Sequence, residues 1–87
     1  MGLSEDFKTA SDDVTKLSQK PSDSDLLLLY AHYKQATEGD VSGKRPGMLN
    51  LVARKKYDSW ADVSGMSSDE AMQKYIDIVS RLKSELG

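Results

Sequence analysis

Residues 26–40 read LLLLYAHYKQATEGD, and the folding of the rest of the chain hangs on how this stretch is read. It opens as an apolar run, passes into two tyrosines and a lysine, and stops at a glycine followed by an acid. Tyr30, Tyr33 and Lys34 stand at i, i+3 and i+4, which puts them on one side of a helix. Leu26 and Leu27 lie one turn earlier on roughly the same side. That side therefore changes along its length from apolar to aromatic to cationic. A face graded this way suits a ligand with a greasy end and an anionic end. The plainer reading makes the leucines core and Lys34 a solvated rim charge.

Ser22 followed by Asp25 has the form of a capping box, so this helix is expected to begin after Ser22. It should run to about Thr37, with Gly39 closing it in a left-handed turn. Upstream, Phe7, Ala10, Val14 and Leu17 recur at helical spacing, which predicts a first helix over 4–17 with Ser4 as its N-cap. Pro21 separates the two, because proline cannot continue a helix interior. Downstream, residues 38–49 hold three glycines, one proline and no helical period. A loop of that length in a small domain is commonly functional or tightly packed. Asn50 can cap a third helix over 51–63, with Tyr57, Trp60 and Ala61 on one side and Gly65 beyond its end. Ser67 and Glu70 make a fuller capping box for a fourth helix. In it Met72, Ile76, Val79, Leu82 and Leu86 form an apolar stripe, with Tyr75 beside it. Nothing reads as a strand. The expected fold is an all-α bundle of four helices, in one domain covering 1–87.

Composition narrows the function. The chain has no cysteine, which removes disulfides, thiolate metal sites and thiol nucleophiles. The apolar run 26–29 is four residues, far short of a membrane span. Met1-Gly2 invites a test for myristoylation, but Asp6 occupies the place where Ser or Thr is wanted. The N-terminus is acidic and unlike a signal peptide. These features lead to an expectation of a cytoplasmic protein without stable membrane insertion. The net charge of −2 conceals a division: residues 34–56 carry six bases and two acids, while the segments on either side each sum to −3. A cationic island of this kind can hold an anion locally. Its acidic flanks argue against nucleic acid, whose polyanion would meet both.

No catalytic constellation is readable. His32 is the only histidine, and its helical angle turns it away from Tyr30, towards a surface or edge. Asp12-Asp13 and Asp69-Glu70 fall at helix starts or outer faces, where solvation and the helix dipole account for them. There is no phosphate-binding loop, dinucleotide fingerprint or metal-ligand spacing. The expectation is a non-enzyme with no cofactor and no metal. What remains is a cationic island beside aromatic faces, in which lysines engage phosphate oxygens and tyrosines add a hydroxyl and a stacking surface.

At this point the chain resembles the acyl-CoA-binding protein family. The pattern LYxxYKQATxGD stands intact from Leu29-Tyr30 through Tyr33-Lys34-Gln35-Ala36-Thr37-Glu38 to Gly39-Asp40. Arg45-Pro46-Gly47-Met48 matches the family's RPG loop. Lys56 and Trp60 match a lysine and a tryptophan of its third helix, and Ser67, Ala71, Tyr75 and Ile76 match its last helix. The resemblance covers essentially the whole chain. It implies an up-down-down-up bundle with a long crossover between helices two and three, and a monomeric carrier of long-chain fatty acyl-CoA esters. By motif match, it implies that Tyr30, Lys34 and Lys56 hold the ribose 3′-phosphate and that Tyr33 and Tyr75 lie near the adenosine. Phe7, Ala10, Leu26, Leu27 and Met48 are the implied lining for the acyl chain. Two departures stand out. Tyr57 replaces a tryptophan, and Thr15 replaces a first-helix lysine, with Lys16 and Lys20 close by. Enzymes that use acyl-CoA are conceivable partners, but they leave no readable mark. The competing class is an interaction module that binds a protein partner or acts as the precursor of a signalling peptide.

Overall fold

A computed structural model of the chain describes residues 2–87. Its helices are α1 (Leu3–Asp13), α2 (Asp23–Glu38), α3 (Leu51–Asp62) and α4 (Ser68–Leu86), with one 3-10 turn (Val14–Lys16) directly after α1. The described residues contain no strand.

Side-chain caps set three of the four helix starts. Ser22 Oγ accepts from the Asp25 N–H at 3.1 Å, Asn50 Oδ1 from Ala53 at 3.3 Å, and Ser67 Oγ from Glu70 at 3.1 Å. Each satisfies an N–H that the helix itself cannot pair. The Glu70 carboxylate answers by accepting from the Ser67 hydroxyl at 3.2 Å. The first helix departs from expectation at both ends. Ser4 lies inside it, and the extended Gly2 takes the N-cap position with no side-chain bond. At the other end α geometry stops at Asp13. Thr15 Oγ1 donates back to the Asp12 carbonyl at 2.7 Å, a local bond that competes with the helical ladder. The 3-10 turn still presents Val14 to the core, and Leu17 packs there too, which explains the longer apolar period. Gly39 ends α2 at φ 84°, but its ψ of −153° lies outside the left-handed helical well expected for it.

Paired residues give the helix directions. Ala36, near the end of α2, accepts from Ser68 at the start of α4 at 2.6 Å, whereas Asp25 at the start of α2 pairs with Arg81 near the end of α4 at 2.6 Å. These two are antiparallel. Phe7 meets Tyr75 and Asp13 meets Lys83, so α1 and α4 run the same way. Leu27 shares a cavity with Val52 at the start of α3, while Gly39 bonds Trp60 near its end. Thus α2 and α3 are also parallel, and the topology is up-down-down-up. Parallel neighbours need a connection as long as the helix itself. The 16 residues of α2 span roughly 24 Å, and the crossover over 39–50 makes the return.

Phe7, Ala10, Leu29, Ala36, Ala71, Tyr75, Val79 and Leu82 form the core. On α4 the buried line runs through Ala71, Tyr75, Val79 and Leu82, with Met72 and Ile76 at its shoulder. Tyr75 is thus at the centre of the expected stripe rather than beside it. His32 requires a correction: it is buried, 7% exposed, and its Nδ1 donates to the Leu28 carbonyl at 2.7 Å. The cause is that α2 packs against α3 on one side and α4 on the other, so its buried surface is wider than one stripe.

Candidate functional site

The graded face of α2 splits in two. Leu26, Leu29, Tyr30 and Tyr33 line a cavity of about 510 Å³ with Lys56 from α3 and Tyr75 from α4. Leu27 faces an adjoining cavity of about 260 Å³, together with Asp23, Val52 and Lys55. Leu26 and Lys56 border both. An apolar surface therefore runs continuously past a lysine.

Lys56 arrives from the other helix because α2 and α3 are parallel and in contact. Its Nζ lies 5.3 Å from the centroid of the Tyr30 ring, a cation–π distance that fixes the ammonium at the cavity wall. Beside it is an aromatic cluster. Phe7 stacks on Tyr33 with centroids 5.4 Å apart, and meets Tyr75 edge-on at 5.1 Å. Tyr33 and Tyr75 lie 5.9 Å apart. Burial pushes the Tyr75 phenol above its ordinary pKa, and Tyr33 adds to the effect, so Tyr75 is neutral at physiological pH. Tyr33 is exposed, which leaves part of its surface open to a planar group.

Lys34 stands apart from this cavity. It pairs with Glu38 one turn on, and its ammonium sits 5.1 Å from the centroid of the Trp60 ring. The Glu38 hydrogen bond raises its pKa. Any anionic ligand at Lys34 exchanges with a carboxylate already in place. Phe7 and Ala10 belong to the core, and Ala10 borders a different cavity of about 300 Å³ with Ile76 and Val79. An acyl chain reaches those two side chains only if neighbours move. Met48 is on the crossover loop, 75% exposed. Of the ten residues singled out in the sequence, five share the larger cavity: Tyr30, Lys56, Tyr75, Tyr33 and Leu26. Thr15, where the family has a lysine, also lines it.

The second half of the family pattern, QATxGD over 35–40, performs a structural task that the sequence alone left unread. Gln35 is buried, and its Nε2 donates to Asp40 Oδ1 and to the Met66 carbonyl, both at 2.8 Å. Its Oε1 is buried without a hydrogen-bond partner among the described residues. Asp40 Oδ1 also accepts from the Gly65 N–H at 2.7 Å. Ser68 and Trp60 add their bonds to the Ala36 and Gly39 carbonyls. The end of α2 is thereby bolted to the α3–α4 turn. Gly65 adopts φ 89° in that turn, a conformation side chains rarely take. The crossover is tied down separately. Arg45 clasps Asp58 through two bonds of 2.8 and 2.7 Å, and the Tyr57 hydroxyl donates to the Gly43 carbonyl at 3.0 Å. The tyrosine that replaces a tryptophan thus holds the loop by its hydroxyl.

The Gly65 bond, followed by that of Gln35, lowers the Asp40 pKa. A carboxyl with a depressed folded pKa contributes stability above its unfolded value and loses it as pH falls through the folded one. The stability difference between the protein and Asp40→Asn should therefore shrink as pH drops below about 4. Urea denaturation at stepped pH checks this, and a difference constant down to full protonation would remove the ionised Asp40 from the bolt.

Comparison with known proteins bears on all of these residues. A family model described as acyl CoA binding protein matches residues 4–79. An acyl-CoA-binding protein of Brassica napus is 51% identical over 82 residues, which cover 94% of this chain and 89% of that protein. The crystal structure of Oryza sativa acyl-CoA-binding protein 2 superposes with a TM-score of 0.91 at 45% identity, over 97% of this chain and 93% of that one. The acyl-CoA-binding protein of Moniliophthora perniciosa superposes equally well, TM-score 0.91, at 32% identity, over 99% of this chain and 84% of its own.

Proposed function

Because the chain belongs to the acyl-CoA-binding protein family, we propose that it binds long-chain fatty acyl-CoA esters and carries and buffers them without catalysis. In this reading residues 1–87 act as one domain and as a monomer, and the cytoplasm is its place of work. Among the described residues no helix is long and apolar enough to cross a membrane.

The observation that carries the reading is Lys56 over the Tyr30 ring at the wall shared by two apolar cavities. An acyl-CoA needs that combination. Its 3′-phosphate takes charge-assisted hydrogen bonds from Lys56 and the Tyr30 hydroxyl. Its adenine stacks against Tyr33, with Tyr75 and Phe7 packed behind. Its acyl chain runs along Leu26 and Leu27, and Met48 can fold over it from the loop. Lys34 joins the phosphate by leaving Glu38. Phe7 and Ala10 support this surface from the core.

Titration with a long-chain acyl-CoA and with the matching acyl-dephospho-CoA, which lacks the 3′-phosphate, tests the assignment. A charged hydrogen bond contributes about 1.5–3 kcal/mol, so Lys56→Ala should weaken acyl-CoA binding by roughly ten- to a hundredfold. Lys34→Ala should fall near the lower end, since its ammonium already has an anion. Lys44→Ala removes the same charge from the same island and should matter little once salt is added. Against the dephospho ligand both lysine penalties should largely disappear, as in a double-mutant cycle with one change made in the ligand. Equal penalties for both ligands would move the lysines to another group, and no saturable heat with any acyl-CoA would end the carrier reading.

A further inference from the structure

Lys56 lines the larger cavity, whereas Lys34 is held outside it by two contacts, an ion pair with Glu38 and the face of the Trp60 ring. The two ends of that ion pair are unequally placed. The Lys34 side chain is 25% exposed and that of Glu38 54%. When the pair opens, the carboxylate recovers water at once, while the more covered ammonium needs another anion. A place for that anion is near. The Lys34 pKa is raised chiefly by the Glu38 hydrogen bond, and Tyr30 and Tyr33 add to the rise. Both tyrosines line the cavity, so the ammonium is within electrostatic reach of its wall. Glu38 also stands against local preference, because it is the last residue of α2, where the helix dipole disfavours an acid. Asp40, the next acid along, is spent on Gln35 and Gly65 and holds the fold. Glu38 can let go without unpicking anything.

We propose that Glu38 sets the strength and the lifetime of acyl-CoA binding, by competing with the ligand's 3′-phosphate for the Lys34 ammonium. The inference rests on the acyl-CoA reading and adds to it a residue that never touches the ligand. A phosphate that takes Lys34 must first displace the carboxylate, so part of its binding energy is used up. As the phosphate withdraws, the carboxylate reclaims the ammonium, which is never left bare. Release is eased for that reason, and a carrier that hands on its cargo gains from a short residence time. The effect is bounded by what an exposed pair one helical turn apart can hold, roughly two- to fivefold in an equilibrium.

A cycle of four proteins tests this: the parent, Glu38→Gln, Lys34→Ala and the double variant. In raised salt, which screens the general effect of removing a charge, Glu38→Gln should bind a long-chain acyl-CoA about two- to fivefold more tightly. It should release the ligand to excess albumin more slowly by a similar factor, read by stopped flow. In the Lys34→Ala background the same change should alter neither quantity, since no ammonium is left to reclaim. For acyl-dephospho-CoA, Glu38→Gln should again change nothing. Without ligand, magnetic resonance titration of the Lys34 side chain should show a lower pKa in Glu38→Gln than in the parent. The thermal transition should be no lower, because the acid at the helix end is gone. Equal tightening with and without Lys34 would make Glu38 a general repulsive charge and overturn the inference. So would unchanged affinity and release in Glu38→Gln, or the same gain for both ligands. Binding without this coupling overturns the inference alone, whereas no saturable binding of acyl-CoA by the parent overturns the carrier reading and the inference with it.

Discussion

Free coenzyme A should bind this chain at least about a thousandfold more weakly than its long-chain acyl ester, and free fatty acid should show no comparable binding. The reasoning begins with the acyl chain. Each CH₂ removed from water contributes about 0.8 kcal/mol. Covering half of a chain of about 14 methylenes gives roughly 5–6 kcal/mol, or about four decades in affinity. The surface for this exists in Leu26, Leu27 and Val52. The fatty acid has the greasy part but neither the 3′-phosphate for Lys56 nor the adenine for Tyr33. Calorimetry across a series of chain lengths measures both effects. Affinity should climb with each added methylene until the chain outgrows the apolar surface. Fatty acid as tight as its ester, or coenzyme A within tenfold of it, would separate the lysine site from the apolar surface.

The second large effect is on folding. Trp60→Ala should destabilise the protein by about 3–5 kcal/mol, the usual cost of emptying a buried aromatic site. Trp60 is 7% exposed, and its Nε1 donates to the Gly39 carbonyl at 2.8 Å. Its ring carries the Lys34 ammonium. Truncation therefore loses packing between α2 and α3, a hydrogen bond to the end of α2, and a cation–π contact. Trp60→Phe keeps most of the packing and loses the N–H, so about 1 kcal/mol beyond the change in volume is expected. Denaturant midpoints for the parent and the two variants order these terms. A loss from Trp60→Ala as small as that of an exposed residue would show that the ring is not a structural element.

The helices were readable where a side chain caps them. Ser22, Asn50 and Ser67 each announce a start because their oxygens must reach an N–H a fixed three residues on. The first helix has no such marker at Gly2, and its apolar period continues into a 3-10 turn that packs like a helix without being an α-helix. Periodicity reports which side is buried, not which carbonyl each N–H pairs with. His32 escaped the reading for a different reason. A helix wedged between two others buries two flanks, and a single-stripe analysis finds only one. The lining of the larger cavity was legible in part, Tyr30 and Tyr33 from their helical spacing and Lys56 from the family resemblance. Their partners were not legible. Whether Lys34 meets ligand, Trp60 or Glu38 depends on a rotation of a few bonds that no spacing encodes. Gln35 and Asp40 were legible only as letters of the family pattern, because their bonds to Met66 and Gly65 depend on a turn 25 to 31 residues away.

The parallel packing of α1 against α4 has a consequence for how the chain comes to be built. The Lys83–Asp13 pair joins positions 70 apart, and Phe7 packs against Tyr75 of α4 as well as Tyr33 of α2. During synthesis α2 and α3 can meet as soon as α3 has emerged, but α1 has only the Tyr33 ring of α2 to lie against until α4 arrives. An amphipathic helix of 11 residues is too short to persist alone in water. Most of its apolar side therefore stays open to solvent, or to whatever attends the nascent chain, until α4 has left the ribosome, and the core closes only when α1 meets α4.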